Sequence, residues 1–323
     1  MNRRDFLKLM TAGVGWLLSG GIFQWHRPVS AAERDYHHIL LLSDLHLPFR
    51  TKKHKTEEAQ AFIWEQKKKL LDTINSWEDV DEAALLGDYA ARFGNEEEFA
   101  CVDSYLAGIR VPWYAVAGNH DYAYLDGDDE NGHLRRCGTY EERWEKLMAF
   151  TRRYNLPDVY YARSIGKYRL IYLAPDACSE QNIELSDRQL AWMKNEIASH
   201  QNGPIIFFCH APLMGTLRKY SSKINTPSRT AQPDEPLEEI LADCPKGSLW
   251  VSGHTHTPPT EDSYADDSVN RFNENLVNIH NPTIDKRHLY TNSLYLYDNR
   301  IAVRTFDHKN GIWVEEFDRE YEN

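Results

Sequence analysis

Nothing in the sequence supplies the basic surface that broad attachment to nucleic acid or anionic lipid requires: 37 lysines and arginines stand against 49 aspartates and glutamates, a formal charge of −12. Both partners need a cationic face to displace counterions, so no nucleic-acid partner is expected, although a local basic pocket is compatible with the balance. A membrane-spanning run is also missing. The weakly apolar stretch from Thr11 to Phe23 covers 13 residues, short of the roughly 20 a helix needs to cross a bilayer, and no stable membrane anchor is expected. The five cysteines (101, 137, 178, 209, 244) form no C-x-x-C pair. Their odd number and wide spacing specify no disulfide framework, and Cys209, inside an apolar run, reads as a buried small residue. No Pro/Ser-rich linker divides the chain, so residues 33–323 are expected to form a single domain. What is present is a varied sequence with 41% hydrophobic residues, nine Trp, 18 Tyr and 12 Phe, enough to bury a core and unlike a disordered chain.

The N-terminus has a different character. Arg3 and Arg4 precede Asp5-Phe6-Leu7-Lys8, then the short apolar stretch, then Val29-Ser30-Ala31-Ala32. A charged start, an apolar middle and small residues at the end describe a cleavable export signal. The stretch Asn2-Arg3-Arg4-Asp5-Phe6-Leu7-Lys8 resembles the twin-arginine signature, which is read by a receptor that passes folded proteins. The reading is therefore a signal peptide over 1–32, the twin-arginine translocase as a partner during export, and a periplasmic or extracellular location. The first cysteine is Cys101, so none lies near the cleavage site to carry a lipid.

Along the rest of the chain, short apolar runs end abruptly in polar residues capable of binding metal. Ile39-Leu40-Leu41-Leu42 runs into Ser43-Asp44-Leu45-His46, Ala83-Ala84-Leu85-Leu86 into Gly87-Asp88, and Trp113-Tyr114-Ala115-Val116-Ala117 into Gly118-Asn119-His120-Asp121. In the second half Ile205-Ile206-Phe207-Phe208-Cys209 runs into His210, and Leu249-Trp250-Val251-Ser252 into Gly253-His254-Thr255-His256. Continuous apolar runs ended by polar turns are what strands covered on both faces look like. Helical spacing appears in 55–77, with Ala59, Phe62, Ile63, Gln66, Leu70, Ile74 and Trp77 on one side, and in 140–154, with Trp144, Leu147, Met148 and Phe150; both stripes read as core faces. Asn95 to Glu98 and Ser186 to Gln189 have the form of capping boxes. Leu294–Tyr297, Ile301–Phe306 and Ile312–Phe317 read as an antiparallel meander. The long polar segments 122–139, 212–236 and 257–290 are expected to build the rim of a site.

Carboxylate, amide oxygen and imidazole together, without thiolate, form a ligand set for Mn, Fe, Zn or Co. One Asp-x-His at a strand end is usually a polar turn; five clusters at equivalent places ask for a common cause, because burying so much unpaired polarity is costly. The order D-x-H, G-D, G-N-H-D, H, G-H-x-H closely resembles that of the calcineurin-like metallophosphoesterases, from Asp44 to His256. The resemblance implies an α/β fold: a four-layer αββα sandwich of two mixed β-sheets flanked by helices. Carried over motif by motif, it implies two metal ions, one on Asp44, His46 and His256 and one on Asn119, His210 and His254, with Asp88 bridging. His120 would face the substrate as general acid or as a donor to the transferring phosphoryl group. Two metals about 3.5–4 Å apart can share a hydroxide and clamp an in-line displacement at phosphorus, so hydrolysis of a phosphate mono- or diester is the implied reaction.

Two departures from the family pattern stand out. Many relatives have Gly-Asp-x-x-Asp, whose last Asp pairs with the catalytic histidine; here the stretch is Gly87-Asp88-Tyr89-Ala90-Ala91-Arg92, and Ala91 can orient nothing. Arg92 matches a phosphate-holding position in that branch and is either such a contact or a solvated loop charge. Asp121 is either a substitute orienting group for His120 or a local cap. Weaker candidates are Arg135-Arg136 and Arg152-Arg153 as substrate contacts, Asp126-Gly127-Asp128-Asp129-Glu130 as an acidic loop without the closing ligand of a calcium site, and His280 with His288 at the substrate entrance. The rivals are a scaffold of the same fold that has lost catalysis, which should lack ligands, and a nuclease of the same fold, which should show a basic track.

Overall fold

The computed structural model describes residues 34–50, 52–284 and 289–323. Residues 1–32, read from the sequence as a signal peptide, and His288 lie outside these residues. Five parallel-strand units carry the five clusters. The first sheet contains β1 (Tyr36–Leu42), β2 (Glu82–Leu85), β3 (Trp113–Ala115), β11 (Tyr290–Tyr297) and β12 (Arg300–Asp307), in the order β3-β2-β1-β11-β12. β1, β2 and β3 run parallel, and β11 pairs antiparallel to β1. The second sheet has the order β10-β9-β8-β7-β6, made from β6 (Tyr161–Ile165), β7 (Tyr168–Tyr172), β8 (Ile205–Phe208), β9 (Ser248–Ser252) and β10 (Leu276–His280). Its strands β7 to β10 are parallel.

Alternation along each strand explains the layers. In β1, Ile39 and Leu41 face an inter-sheet core shared with Ile206 and Phe208 of β8 and Val251 of β9, while Leu40 and Leu42 face the helices outside. All four are 0–1% exposed, and burying each such side chain stabilises the fold by about 1.5–3 kcal/mol. The first sheet is covered by α1 (Glu57–Ile74), α2 (Glu96–Leu106) and α4 (Tyr140–Arg153), the one-turn α3 (Asn119–Tyr122) lying between the last two; the second is covered by α5 (Asp187–Ser199) and α6 (Asp234–Leu241). The result is the four-layer αββα sandwich of two mixed sheets. Among the described residues no helix is long and apolar enough to cross a membrane.

Departures from the sequence reading have physical causes. In α1 the buried positions are Ile63, Lys67, Leu70 and Ile74, and Phe62 is 42% exposed. Lys67 earns its buried place because its ammonium donates to the carbonyls of Leu45 (2.5 Å), His46 (3.1 Å) and Pro48 (3.4 Å). Asn95 and Ser186 do cap α2 and α5. Their box partners work elsewhere: Glu98 Oε2 accepts from the amides of Arg92, Phe93 and Gly94, and Gln189 bonds both backbone groups of Ala174. The third strand of the C-terminal meander is split. β13 (Ile312–Trp313) is followed by a 3-10 turn at Glu315–Phe317, and β14 (Arg319–Glu322) then pairs with the same strand, β12. The segment 122–139 holds a hairpin, β4 (Tyr124–Asp128) with β5 (Leu134–Arg136), whose Asp126 and Asp128 pair with Lys146 and Arg92.

Candidate metal centre

All five clusters lie at the C-terminal ends of parallel strands, where successive loops converge. Three of the five turns use an unusual backbone. Asp44, His46, Asp88, His254 and His256 all have positive φ, between 43° and 64°, a strained region for side chains other than Asn, Asp and Gly that clusters at functional sites. Close approach of the loops requires glycine. A Cβ on Gly118 would lie 2.3 Å from the Asp88 amide, and one on Gly253 would lie 1.8 Å from Ser43 Oγ.

Two groups of ligand atoms form there, each with all atoms within 4.8 Å of one another: Asp44, His46, Asp88 and His256, and Asp88, His210 and His254. Asp88 belongs to both. Its Oδ1 lies 3.3 Å from His210 Nε2 and its Oδ2 3.8 Å from His46 Nε2. His46 Nε2 and His256 Nε2 are 3.1 Å apart, as are His210 Nε2 and His254 Nδ1. The far ring nitrogens are held by backbone: His210 Nδ1 donates to Leu86 O (2.7 Å) and His254 Nε2 to Ser228 O (3.1 Å). This fixes the tautomers and turns the remaining lone pairs inward. Asn119 donates through Nδ2 to the Tyr124 hydroxyl (3.1 Å), and its buried Oδ1 has no hydrogen-bond partner, while Asp44 Oδ1 lies 2.9 Å from His256 Nε2. A buried oxygen without a partner and carboxylates converging with inward-facing imidazoles are what a divalent cation satisfies, so the residues fit metal ions.

Electrostatics agree with that assignment. Burial raises the pKa of Asp88, but the His210 and His120 charges outweigh it and hold the carboxyl well below its usual range. Burial, followed by the Arg50 charge, keeps His46 well below its ordinary value. His254 is brought down to about 3 by burial and then by His210 and Arg229. His210 is the exception: burial lowers it, yet Asp88 and Asp44 carry it up to about 9, a proton that a bound cation would displace.

His120 is buried at this centre, with Nδ1 donating to the Arg92 carbonyl at 3.0 Å and Nε2 turned toward the ligands, 4.0 Å from Asp88 Oδ2. The backbone carbonyl thus fills the orienting place left by Ala91. Asp121 does other work. Its Oδ2 accepts from the amides of Asp88 (2.9 Å) and Gly118 (2.8 Å), and its Oδ1 from those of Tyr89 (2.9 Å) and Ala90 (3.0 Å), tying the second and third motif loops together. The Arg92 guanidinium pairs with Asp128 and lies over the Phe93 ring, and its side chain makes no hydrogen bond or ion pair with a ligand residue among the described residues. Instead Arg50 reaches the centre, with Nη1 3.4 Å from His46 Nε2 and Nη2 3.3 Å from His120 Nε2. Arg50 was hidden in the basic run Arg50-Thr51-Lys52-Lys53; its spacing of four from His46 was the only signal. His280 is buried in the wall, bonded to Thr216 O, and not at an entrance.

The family model for calcineurin-like phosphoesterases matches residues 37–258, more than half of the chain and all five clusters. The chain belongs to the calcineurin-like phosphoesterase family. Solved structures with a similar fold include the purple acid phosphatase PPD1 from yellow lupin (Lupinus luteus) seeds, at 12% identity and a TM-score of 0.51, covering 86% of this chain and 52% of that one. This chain therefore corresponds to about half the length of the lupin protein. A second is PhoD, at 11% identity and a TM-score of 0.52, covering 91% of this chain and 73% of that one. At these identities the likeness is one of fold. No curated protein matches the chain in sequence.

Proposed function

We propose that this chain is an exported, dinuclear metal-dependent phosphoesterase acting on a phosphate mono- or diester. The observation that carries the reading is Asp88, whose two oxygens belong to two separate ligand groups. Asp44, His46 and His256 hold the first ion and Asn119, His210 and His254 the second, chosen from Mn, Fe, Zn or Co. When bound, the ions lower the pKa of water and neutralise charge developing at phosphorus. The chain's own groups do the rest. Arg50 takes the phosphoryl oxygens in place of Arg92, through a planar fork suited to them. His120, its ring fixed by the Arg92 carbonyl through Nδ1–H, turns Nε2 toward the leaving-group oxygen; burial holds its pKa down to about 4, so it delivers a proton only when a second one, on Nε2, has made it an imidazolium. Every ligand position of the family motif is filled, which argues against a scaffold that has lost catalysis.

Export through the twin-arginine translocase, to the periplasm or beyond the cell, completes the proposal. The five cysteines are buried and unpaired, a state compatible with folding before export. Arg3→Lys with Arg4→Lys should leave folded protein inside the cell, and normal export of that variant would refute the route. For the reaction, metal-loaded protein should turn over at least one member of a panel of phosphomonoesters, cyclic nucleotides and phospholipid head-group diesters. Failure on the whole panel with both ions bound would favour the scaffold.

A further inference from the structure

Two arginines on the side of the second ligand group lack the carboxylate partner that several others possess, a lack they share with Arg135, Arg152 and Arg319 among the described residues. Arg92 is matched by Asp128, Arg163 by Glu82 and Arg169 by Glu196. Arg136 and Arg229 are both half-buried, and among the described residues neither has a carboxylate at ion-pair distance. Arg136, at the end of β5, donates through Nη2 to Asn182 Oδ1 and lies over the Tyr124 ring at 5.4 Å, while its Nη1 is buried without any hydrogen-bond partner. Arg229 follows Ser228 in a 3-10 turn, and its side chain makes no hydrogen bond among the described residues.

A short relay joins these arginines to the metal ligands. Asn182, which accepts from Arg136, donates through Nδ2 to Ser228 O at 2.8 Å. The same carbonyl accepts from His254 Nε2 at 3.1 Å. On the other side Tyr124, under Arg136, accepts from Asn119 Nδ2 at 3.1 Å. Both guanidinium charges also act on Tyr124, opposing the burial that raises its hydroxyl pKa. Neither cation has a carboxylate partner among the described residues, and both act on Tyr124, so an anion beside Tyr124 is attracted by the two together. A guanidinium with free donors is built to take phosphate oxygens in pairs.

Resting on the phosphoesterase reading above, we propose that Arg136 and Arg229 form an anion subsite beside the second ligand group that takes a second phosphate of the substrate. The preferred substrates are then phosphate esters carrying two phosphate groups, one at the metal centre and one on this pair. The test is calorimetric titration of the metal-loaded full chain with propyl phosphate, propane-1,3-diol bisphosphate and hexane-1,6-diol bisphosphate, with metal content measured before and after. One of the bisphosphates should bind at least tenfold more tightly than propyl phosphate. In Arg136→Met and in Arg229→Met that ratio should fall below about threefold. A ratio reads the same folded population with each ligand, so partial loss of folded protein does not alter it, and Arg229→Met alone decides if the Arg136 variant fails to fold. Equal affinity of all three ligands for the native chain overturns the subsite, as does a tenfold ratio that survives in Arg229→Met. Turnover of monophosphates without this preference would leave the phosphoesterase reading standing and remove only the subsite; the preference without turnover would do the reverse.

Discussion

Replacing Asp121 by Asn should unfold much of the centre without touching a metal ligand. The carboxylate has four acceptor positions filled by four backbone amides, at 2.8–3.0 Å, from two different loops. Burial and then the Asp88 charge push its pKa up to about 8, but with every acceptor position occupied there is no room for a proton, and the group is read as ionised. An amide keeps one oxygen. Whichever way it is turned, two amides lose their acceptor and face an NH2 group instead. Two charge-assisted bonds at about 1.5–3 kcal/mol each give a loss of about 3–6 kcal/mol, offset in part by relief of the repulsion from Asp88. That is a large fraction of the 5–15 kcal/mol typical of a folded protein. Urea unfolding of the chelator-treated protein measures it, because removing bound metal from both proteins prevents ligand stabilisation from masking the difference. The midpoint should fall with little change in slope. A loss under about 1 kcal/mol would mean that Asp121 does not hold the two loops.

Other expectations follow from single contacts. Gly253→Ala forces a methyl into the Ser43–Asp44 hydrogen bond and should cost about 1–3 kcal/mol as overpacking, measured by the same unfolding; no change would mean the loop has room. Arg50→Met should raise KM for a phosphomonoester about tenfold or more with metal content preserved, and an unchanged KM would return phosphate holding to another residue. His308 is held down to about 4 by burial, with Asp307 opposing. Its folded pKa lies below the ordinary value near 6.5, so the unfolded chain takes up the proton first and stability falls as the pH drops from about 6.5 toward 4. His308→Gln should flatten that acid slope by up to one proton; an unaltered dependence of the urea midpoint on pH would contradict it.

Much of this architecture was legible because strands covered on both faces leave unbroken apolar runs, and the polar residues that end them are conspicuous against Ile39–Leu42 or Ile205–Cys209. The ligand positions could be read for the same reason. What could not be read depends on carbonyls and amides, which every residue has. The Arg92 carbonyl that orients His120, the four amides on Asp121 and the three carbonyls on Lys67 leave no mark in the sequence. Lys67 occupies a place on the α1 stripe that periodicity gives to an apolar side chain, and Phe62 is exposed in exchange. Glu98 and Gln189 matched a capping pattern, yet nearby loops offered unsatisfied amides and took them. Arg92 stood at a motif position but met Asp128 of the β4 hairpin, a contact decided by how the segment 122–139 folds back.

The shared carboxylate of Asp88 is tested most directly by counting metal. Native protein, loaded and then dialysed, should hold two ions per chain by mass spectrometry. Asp88→Ala should hold fewer than one, because both ligand groups lose the same residue, while His120→Ala should retain two. One ion per chain in the native protein, or two retained in Asp88→Ala, would contradict the dinuclear centre.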